Sequence, residues 1–466
     1  MFRDLPRYGS YKVAGEWVVE VPRSWGWEPA RTIFSERKDA GHVEEQMLSV
    51  TIGRGVIPQT DLLSSTSKKD SSNVDKSKYK LVGPGDVVYN KMRAWQGAAG
   101  GSNYRGIVSP AYVVMSPREA LTEYMHYVVR TPQFAKEAER WSYGITSDQW
   151  SLRPEHFKMI RFPLPPIEEQ AAIVKYLAHA NARIDKAITT KLRLIALLEE
   201  QSVLVSRQVL SGRSIESVDL DSGDRVPWLG RTPAAWGALP LKRLAKLRGG
   251  AGFPVARQGV LNQELPFFRV SDMGYPGNEV FLDYCESTVS RDESAELGAV
   301  IFEPESICFP KVGGALLTNK RRILKRSSCL DNNLMGATFF GLEVDYAYEI
   351  MKLVDMSDVA KPGPVPAVGQ GDVGRIVLPV PPKEVQHALV EALRLSQQES
   401  ARAANVAARE IDLLREFRTR LVADVVTGQV DVRAIAATLP DAPESFDITA
   451  SATDDDLEEA LREGEE

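Results

Sequence analysis

A chain of 466 residues with 43% hydrophobic content can bury more than one core, so two or three globular units are expected. Three widely spaced cysteines, Cys285, Cys308 and Cys329, argue against a disulfide framework or a zinc site. The polar N-terminus and the lack of any run near the ~20 apolar residues of a membrane helix predict a soluble, cytoplasmic protein, and the net charge of −6 is no guide until it is divided along the chain.

Residues 1–162 carry a net charge of +5 and read as a first globular domain. It opens on Trp17, Pro22, Trp25 and Gly26. Turn signals at Gly83-Pro84-Gly85-Asp86 and at Pro110 lead into the β-type runs Val87-Val88-Tyr89 and Ala111-Tyr112-Val113-Val114, and a helical stretch is predicted near Leu121–Arg140. The pattern is α+β. Between the strands lies Asn90-Lys91-Met92-Arg93-Ala94-Trp95-Gln96-Gly97. Lys91 and Arg93 suit phosphates or guanine, and Asn90 or Gln96 suits adenine in a major groove. Simple surface exposure explains the polar residues equally well, and Trp95 reads as packing before stacking. A lysine cluster at Lys68, Lys69, Lys76, Lys78 and Lys80 reads as a solvated loop.

Residues 163–213 read as a first long helix and residues 379–433 as a second. Pro163-Leu164-Pro165-Pro166-Ile167-Glu168-Glu169-Gln170 returns as Pro379-Val380-Pro381-Pro382-Lys383-Glu384-Val385-Gln386, an offset of 216 that also carries Gly212 onto Gly428. No Pro or Gly interrupts Ile167 to Ser211 or Lys383 to Thr427. Each run of about 45 residues spans roughly 65–70 Å as a helix. Ile173, Leu177, Ile184, Leu192, Ile195, Leu198 and Val205 form an apolar stripe on the first helix. Ala404, Ile411, Leu414, Leu421 and Val425 form one on the second. Spacing of three and four residues predicts a coiled-coil seam between the two helices. An antiparallel pairing is expected, although a parallel one satisfies the same seam. Two ordinary helices packed on separate cores are the alternative.

Residues 214–378 read as a linker and a second domain, opening on Trp228, Pro233, Trp236 and Gly237 at an offset of 211 from the first opening. From Ser306 to Leu330 there are six bases (Lys311, Lys320, Arg321, Arg322, Lys325 and Arg326) and no acid. Thr318, Asn319, Asn332 and Asn333 add hydrogen-bonding groups, and Gly313-Gly314 permits close backbone approach. Concentrated charge inside a neutral domain points to nucleic acid. Residues 434–466 carry −10 and are expected to form an acidic disordered tail.

Catalytic motifs are missing. No Gly-Lys dipeptide occurs, so there is no phosphate loop of the GxxxxGK[ST] type. The histidines are isolated from one another and from the cysteines, which removes metal-ligand spacing. A non-catalytic chain with no metal site is expected.

The paired Pro-x-Pro-Pro-x-Glu-x-Gln helix starts, Leu413-Leu414-Arg415-Glu416 through Val426-Thr427-Gly428, and Trp228-Leu229-Gly230 with Pro233 and Trp236 resemble the specificity (S) subunit of type I restriction-modification enzymes. Gly106-Ile107-Val108-Ser109-Pro110-Ala111-Tyr112 is similar to a segment of its target-recognition domains. The resemblance covers roughly residues 11–433. It implies that each domain reads one half of a bipartite DNA site and that the antiparallel helix pair sets the spacer. It also implies docking of modification subunits that use S-adenosylmethionine, and of restriction subunits that use ATP and Mg; this chain itself would bind no cofactor. A coiled-coil scaffold with two protein-binding domains is the competing reading, and it predicts no sequence-specific footprint.

Overall fold

The computed structural model describes residues 5–63, 75–144, 150–213, 225–361 and 363–441. The elements that position functional groups begin with β1 (Gly26–Pro29), β2 (Phe34–Arg37), β3 (Val87–Asn90), β4 (Ala99–Gly101) and β5 (Tyr112–Pro117). Then come α1 (Thr122–Val129), α2 (Pro132–Arg140), β6 (Arg161–Leu164) and a 44-residue helix, α3 (Ile167–Leu210). The second half holds β7 (Gly237–Pro240), β8 (Ala245–Gly249), β9 (Phe281–Leu282), β10 (Ile307–Pro310), β11 (Arg322–Leu324) and β12 (Leu334–Phe339). It closes with α4 (Val344–Leu353), β13 (Val377–Val380), a second 44-residue helix, α5 (Lys383–Val426), and the short α6 (Arg433–Thr438). The fold is α+β with two long helices, as the sequence predicts. Two compact units result: Met1–Leu192 with Ala408–Glu466, and Arg193–Ala407. Each long helix therefore gives one half to each unit.

In the first unit the main sheet is antiparallel, in the order β2-β5-β3-β4. Alternation along a strand sends Val87, Tyr89, Val113 and Met115 into one core and Val88 and Val114 into another. Both sheet faces are thus covered, which is why these strands read as unbroken apolar runs. The helical stretch predicted near Leu121–Arg140 is two helices rather than one. The first ends at Val129, and Thr131 caps the second: its side chain accepts the Phe134 N–H while Pro132 occupies the first turn of α2.

The second unit carries a five-stranded mixed sheet in the order β8-β12-β10-β11-β9, with only the β9–β11 pair parallel. The repeat seen in the sequence recurs in its contacts. In the first unit β1 pairs with β6 and the Trp17 indole N–H donates to Arg161 O at 2.9 Å. In the second unit β7 pairs with β13 and the Trp228 N–H donates to Val377 O at 2.9 Å. Gln170 donates to Pro165 O at 2.9 Å and accepts the Leu121 N–H at 2.8 Å. Gln386 donates to Pro381 O and accepts the Glu343 N–H, both at 2.8 Å.

The long helices pair inside each unit. In the first, Ile173 and Leu177 share a core with Leu421 and Val425, and Ile184 and Ile411 are buried. Arg418 bonds Asp185 and Lys191 bonds Glu410, so numbers rise on α3 as they fall on α5. The pairing is antiparallel. In the second unit Gln397 donates to Ser206 Oγ at 3.2 Å, and Val209 and Leu210 share a core with Leu389 and Leu393. Ile195, Leu198, Val205, Ala404 and Leu414 are half-buried.

Two expectations need correcting. Leu192 is 51% exposed rather than in the seam, because Lys191 takes the cross-helix position and turns its neighbour about 100° outward. The predicted tail does not begin at residue 434. Residues up to Asp441 belong to the first unit, where α6 buries Ala436, Asp431 N–H donates to Pro6 O, and Lys175 bonds Asp441. The acidic run from residue 442 lies outside the described residues, as do Lys68 and Lys69.

Candidate nucleic-acid interface

Strands pack regularly only as far as their side chains alternate, so polar groups collect where strands end. In the first unit the ends of β2 and β3 and the start of β5 form one rim of the sheet. β3 ends at Asn90, and Lys91 is pinned through its backbone: its N–H donates to Ala111 O at 3.0 Å and its carbonyl accepts the Leu152 N–H at 2.8 Å. Its side chain is half-exposed. Lys80 donates to Tyr112 O at 2.6 Å. Burial, and then the like charge of Lys91, hold the Lys80 ammonium below the usual lysine range; Glu36 opposes this and Lys38 adds to it. Lys158 and Lys38 lie 2.7 and 3.8 Å from the Glu36 carboxylate. Lys158 and Lys38 thus share the Glu36 carboxylate, while Lys80 and Lys91 feel each other's like charge.

The neighbouring turn places the other sequence-predicted residues differently. Asn90 is buried, and its Oδ1 accepts the Met92 N–H at 2.8 Å, closing the turn rather than facing outward. Arg93 is half-buried at the start of the short turn Ala94–Gln96. Trp95 donates to Met92 O at 2.8 Å and sets its ring edge-on to Trp150 at 5.3 Å, so it packs locally. Gln96 is half-buried, and its side-chain oxygen has no hydrogen-bond partner among the described residues.

The second unit repeats the lysine. Lys311 follows β10 as Lys91 follows β3. Its N–H donates to Asn333 O at 2.8 Å and its carbonyl accepts the Val368 N–H at 2.9 Å. Exposed Asn332 and Asn333 stand beside it at the start of β12, and Asn333 is oriented by Asp331. Gly249, at the end of β8, lies so close that a Cβ there would meet Lys311 Nζ at 2.9 Å.

The remaining bases of the 306–330 segment have separate fates. Arg321 is 1% exposed; it donates to Lys320 O, Asn319 Oδ1 and Val354 O and lies 5.2 Å over the Phe309 ring. Burial holds its pKa down at about 10. It is an interior brace. Arg322 is half-buried and donates to Arg321 O and Met273 O. Lys325 and Arg326 are exposed and share Asp283. Asn319 adopts φ +52° and donates to Lys352 O, and Thr318 donates to Ala315 O. Lys320 alone of the six is exposed with no ion pair among the described residues.

No family model matches the chain, and no curated protein matches it. Among solved structures, a chain from work on complex assembly and conformational transition of the type I R-M system matches with a TM-score of 0.57 at 15% identity, over 88% of this chain and 99% of that one. This chain has that fold. The HsdS subunit from Thermoanaerobacter tengcongensis is similar at 16% identity over 88% and 98% of the two chains, with a TM-score of 0.45. The type I restriction-modification S subunit from M. genitalium gives 12% identity, 86% and 96%, and 0.32. The fold implied by the paired Pro-x-Pro-Pro helix starts is the one the first of these structures has.

Within the type I R-M fold, one charged surface escaped the sequence reading. Lys242, Arg243, Lys246 and Arg248, on and just before β8, are all exposed. The signal was present: from Gly237 to Gln263 there is no acid. It was overlooked because the neighbouring 306–330 run is denser. Among the described residues no group of three or more His, Cys, Asp or Glu side chains is placed to hold a metal, and no helix is long and apolar enough to cross a membrane. All three cysteines are buried and free, and burial pushes the Cys308 thiol up to about 12.

Proposed function

We propose that this chain is the specificity subunit of a type I restriction-modification system, reading a bipartite DNA target without catalysing a reaction itself. The observation that carries the reading is the pair of equivalent lysine rims. Lys91 and Lys311 sit at the same place in two domains whose sequences otherwise differ, each clamped by two backbone hydrogen bonds. A scaffold that repeats while its reading surface changes is what two different half-sites require. Lys80, Lys91 and Lys158 supply phosphate contacts in the first domain, and Lys311, Asn332 and Asn333 supply them in the second. Arg321 and Asn90, enclosed as they are, hold the frame. The antiparallel helices set the length of the unread spacer. Exposed Leu194, Leu197 and Leu204 on α3 offer an apolar strip for modification subunits. Those subunits carry S-adenosylmethionine, restriction subunits carry ATP and Mg, and the assembly acts in the cytoplasm.

The test is to map methylated adenines in a host with and without this chain, expressed with its modification partner. One bipartite, asymmetric motif that appears only when the chain is present is expected. Methylation that is indifferent to the chain would remove the reading and leave a scaffold.

A further inference from the structure

The main sheet of the second unit ends on β8, which among the described residues pairs only with β12. Alternation turns Lys246 and Arg248 to one side of this edge strand while Leu247 packs inward on the core. Lys242 and Arg243 precede them on the turn Leu241–Arg243. Among the described residues none of the four has a hydrogen bond or ion pair through its side chain, and no acid occurs between Gly237 and Gln263.

Charge on an edge strand has an ordinary explanation, since it blocks edge-to-edge association. The first unit shows what that explanation looks like here. Its edge strand β2 pairs with β5 as β8 pairs with β12. It also carries charges, but they are neutralised: Arg37 bonds Asp86 at 2.9 Å, and Glu36 bonds Lys158 at 2.7 Å. At the matching places in the second unit the register puts Arg248 where Arg37 stands and Leu247 where Glu36 stands. The acids are gone and the bases remain. Blocking an edge needs charge but not four charges of one sign, a local excess that attracts a polyanion.

We infer that Lys242, Arg243, Lys246 and Arg248 form a phosphate-backbone clamp for duplex DNA that runs along the sheet edge away from the Lys311 rim. This rests on the specificity-subunit reading. The clamp positions the duplex and reads no base, because four like charges spread along an edge strand and the turn before it suit the repeating phosphates rather than a base edge. Its contribution is therefore the same on every DNA sequence.

The experiment replaces all four by Ala in the full chain and measures binding to a duplex carrying the mapped motif and to one lacking it, from low to high salt. Each phosphate contact contributes about 0.9 to the slope of log affinity against log salt. The slope is expected to flatten by about 2 to 4 on both duplexes, with the preference between them unchanged. Circular dichroism and thermal melting matching the parent establish that the variant folds, as four exposed, unpartnered side chains should allow. An unchanged slope in the folded variant overturns the clamp and leaves the specificity reading standing. A parent chain that binds both duplexes equally overturns that reading, while a flattened slope still assigns the clamp.

Discussion

Gln170 and Gln386 each tie the start of a long helix to the N-terminus of a shorter one, α1 and α4, with a single side chain. Both are almost wholly buried, and each amide satisfies one backbone N–H and one backbone carbonyl. Removing such a side chain leaves both backbone groups dry and unpaired, at about 1–3 kcal/mol for each group. Gln170→Ala and Gln386→Ala are therefore each expected to lower stability by about 2–6 kcal/mol, a sum over two groups. Chemical denaturation followed by fluorescence measures it, and losses below about 1 kcal/mol in either variant would show that water replaces the amide. These glutamines were legible in the sequence as members of a repeat. Asn90 and Arg321 were legible only as polar residues in a basic context, because a sequence gives residue type and not direction. Asn90 spends its oxygen on the turn it begins. Arg321 finds carbonyl acceptors inside and an aromatic face at Phe309, so burial that would otherwise be prohibitive is offset by hydrogen bonds.

The existence and limits of the long helices were fully legible, since helix propagates until Pro or Gly interrupts it and neither does. Both stop where a residue with positive φ is needed, at Gly212 and Gly428, each at φ +77°. Direction was not legible, because an apolar seam satisfies either pairing. The ion pairs Asp185–Arg418 and Lys191–Glu410 resolve it, and the burial of Ile173 and Leu177 in the first domain's core shows that a seam and a core-packed face coexist on one helix. A double-mutant cycle with Asp185→Ala and Arg418→Ala tests the pairing. Arg418 is mostly buried and Asp185 partly exposed, so a coupling of about 0.5–1 kcal/mol is expected, shrinking in high salt. Zero coupling at low salt would mean that the two side chains do not meet in solution.

The course of the chain through its two units explains why it must stay together. The end of α3 belongs with the domain that follows it, and Gly212 abuts Pro233 and Trp236. The end of α5 returns to the domain at the start of the chain, and Gly428 abuts Pro22 and Trp25. The sequence recorded both halves of this relation as repeats, but two repeats with different offsets do not say which helix end meets which opening. Cutting the chain between Arg213 and Arg225 gives two fragments, each a domain followed by a whole long helix. In each, the last helical turns lack the core they belong to. Leu421, Val425 and Val426 are buried in the first unit, and Val209 and Leu210 in the second. At roughly 1.5–3 kcal/mol for each side chain, these five contribute roughly 8–15 kcal/mol toward rejoining, comparable to the 4–15 kcal/mol cost of association, and the remaining seam adds to them. Co-expressed fragments are therefore expected to purify together in a one-to-one complex through a tag on one of them, while either alone aggregates or self-associates. Fragments that purify separately as stable monomers would show that each helix end is dispensable to the unit it enters.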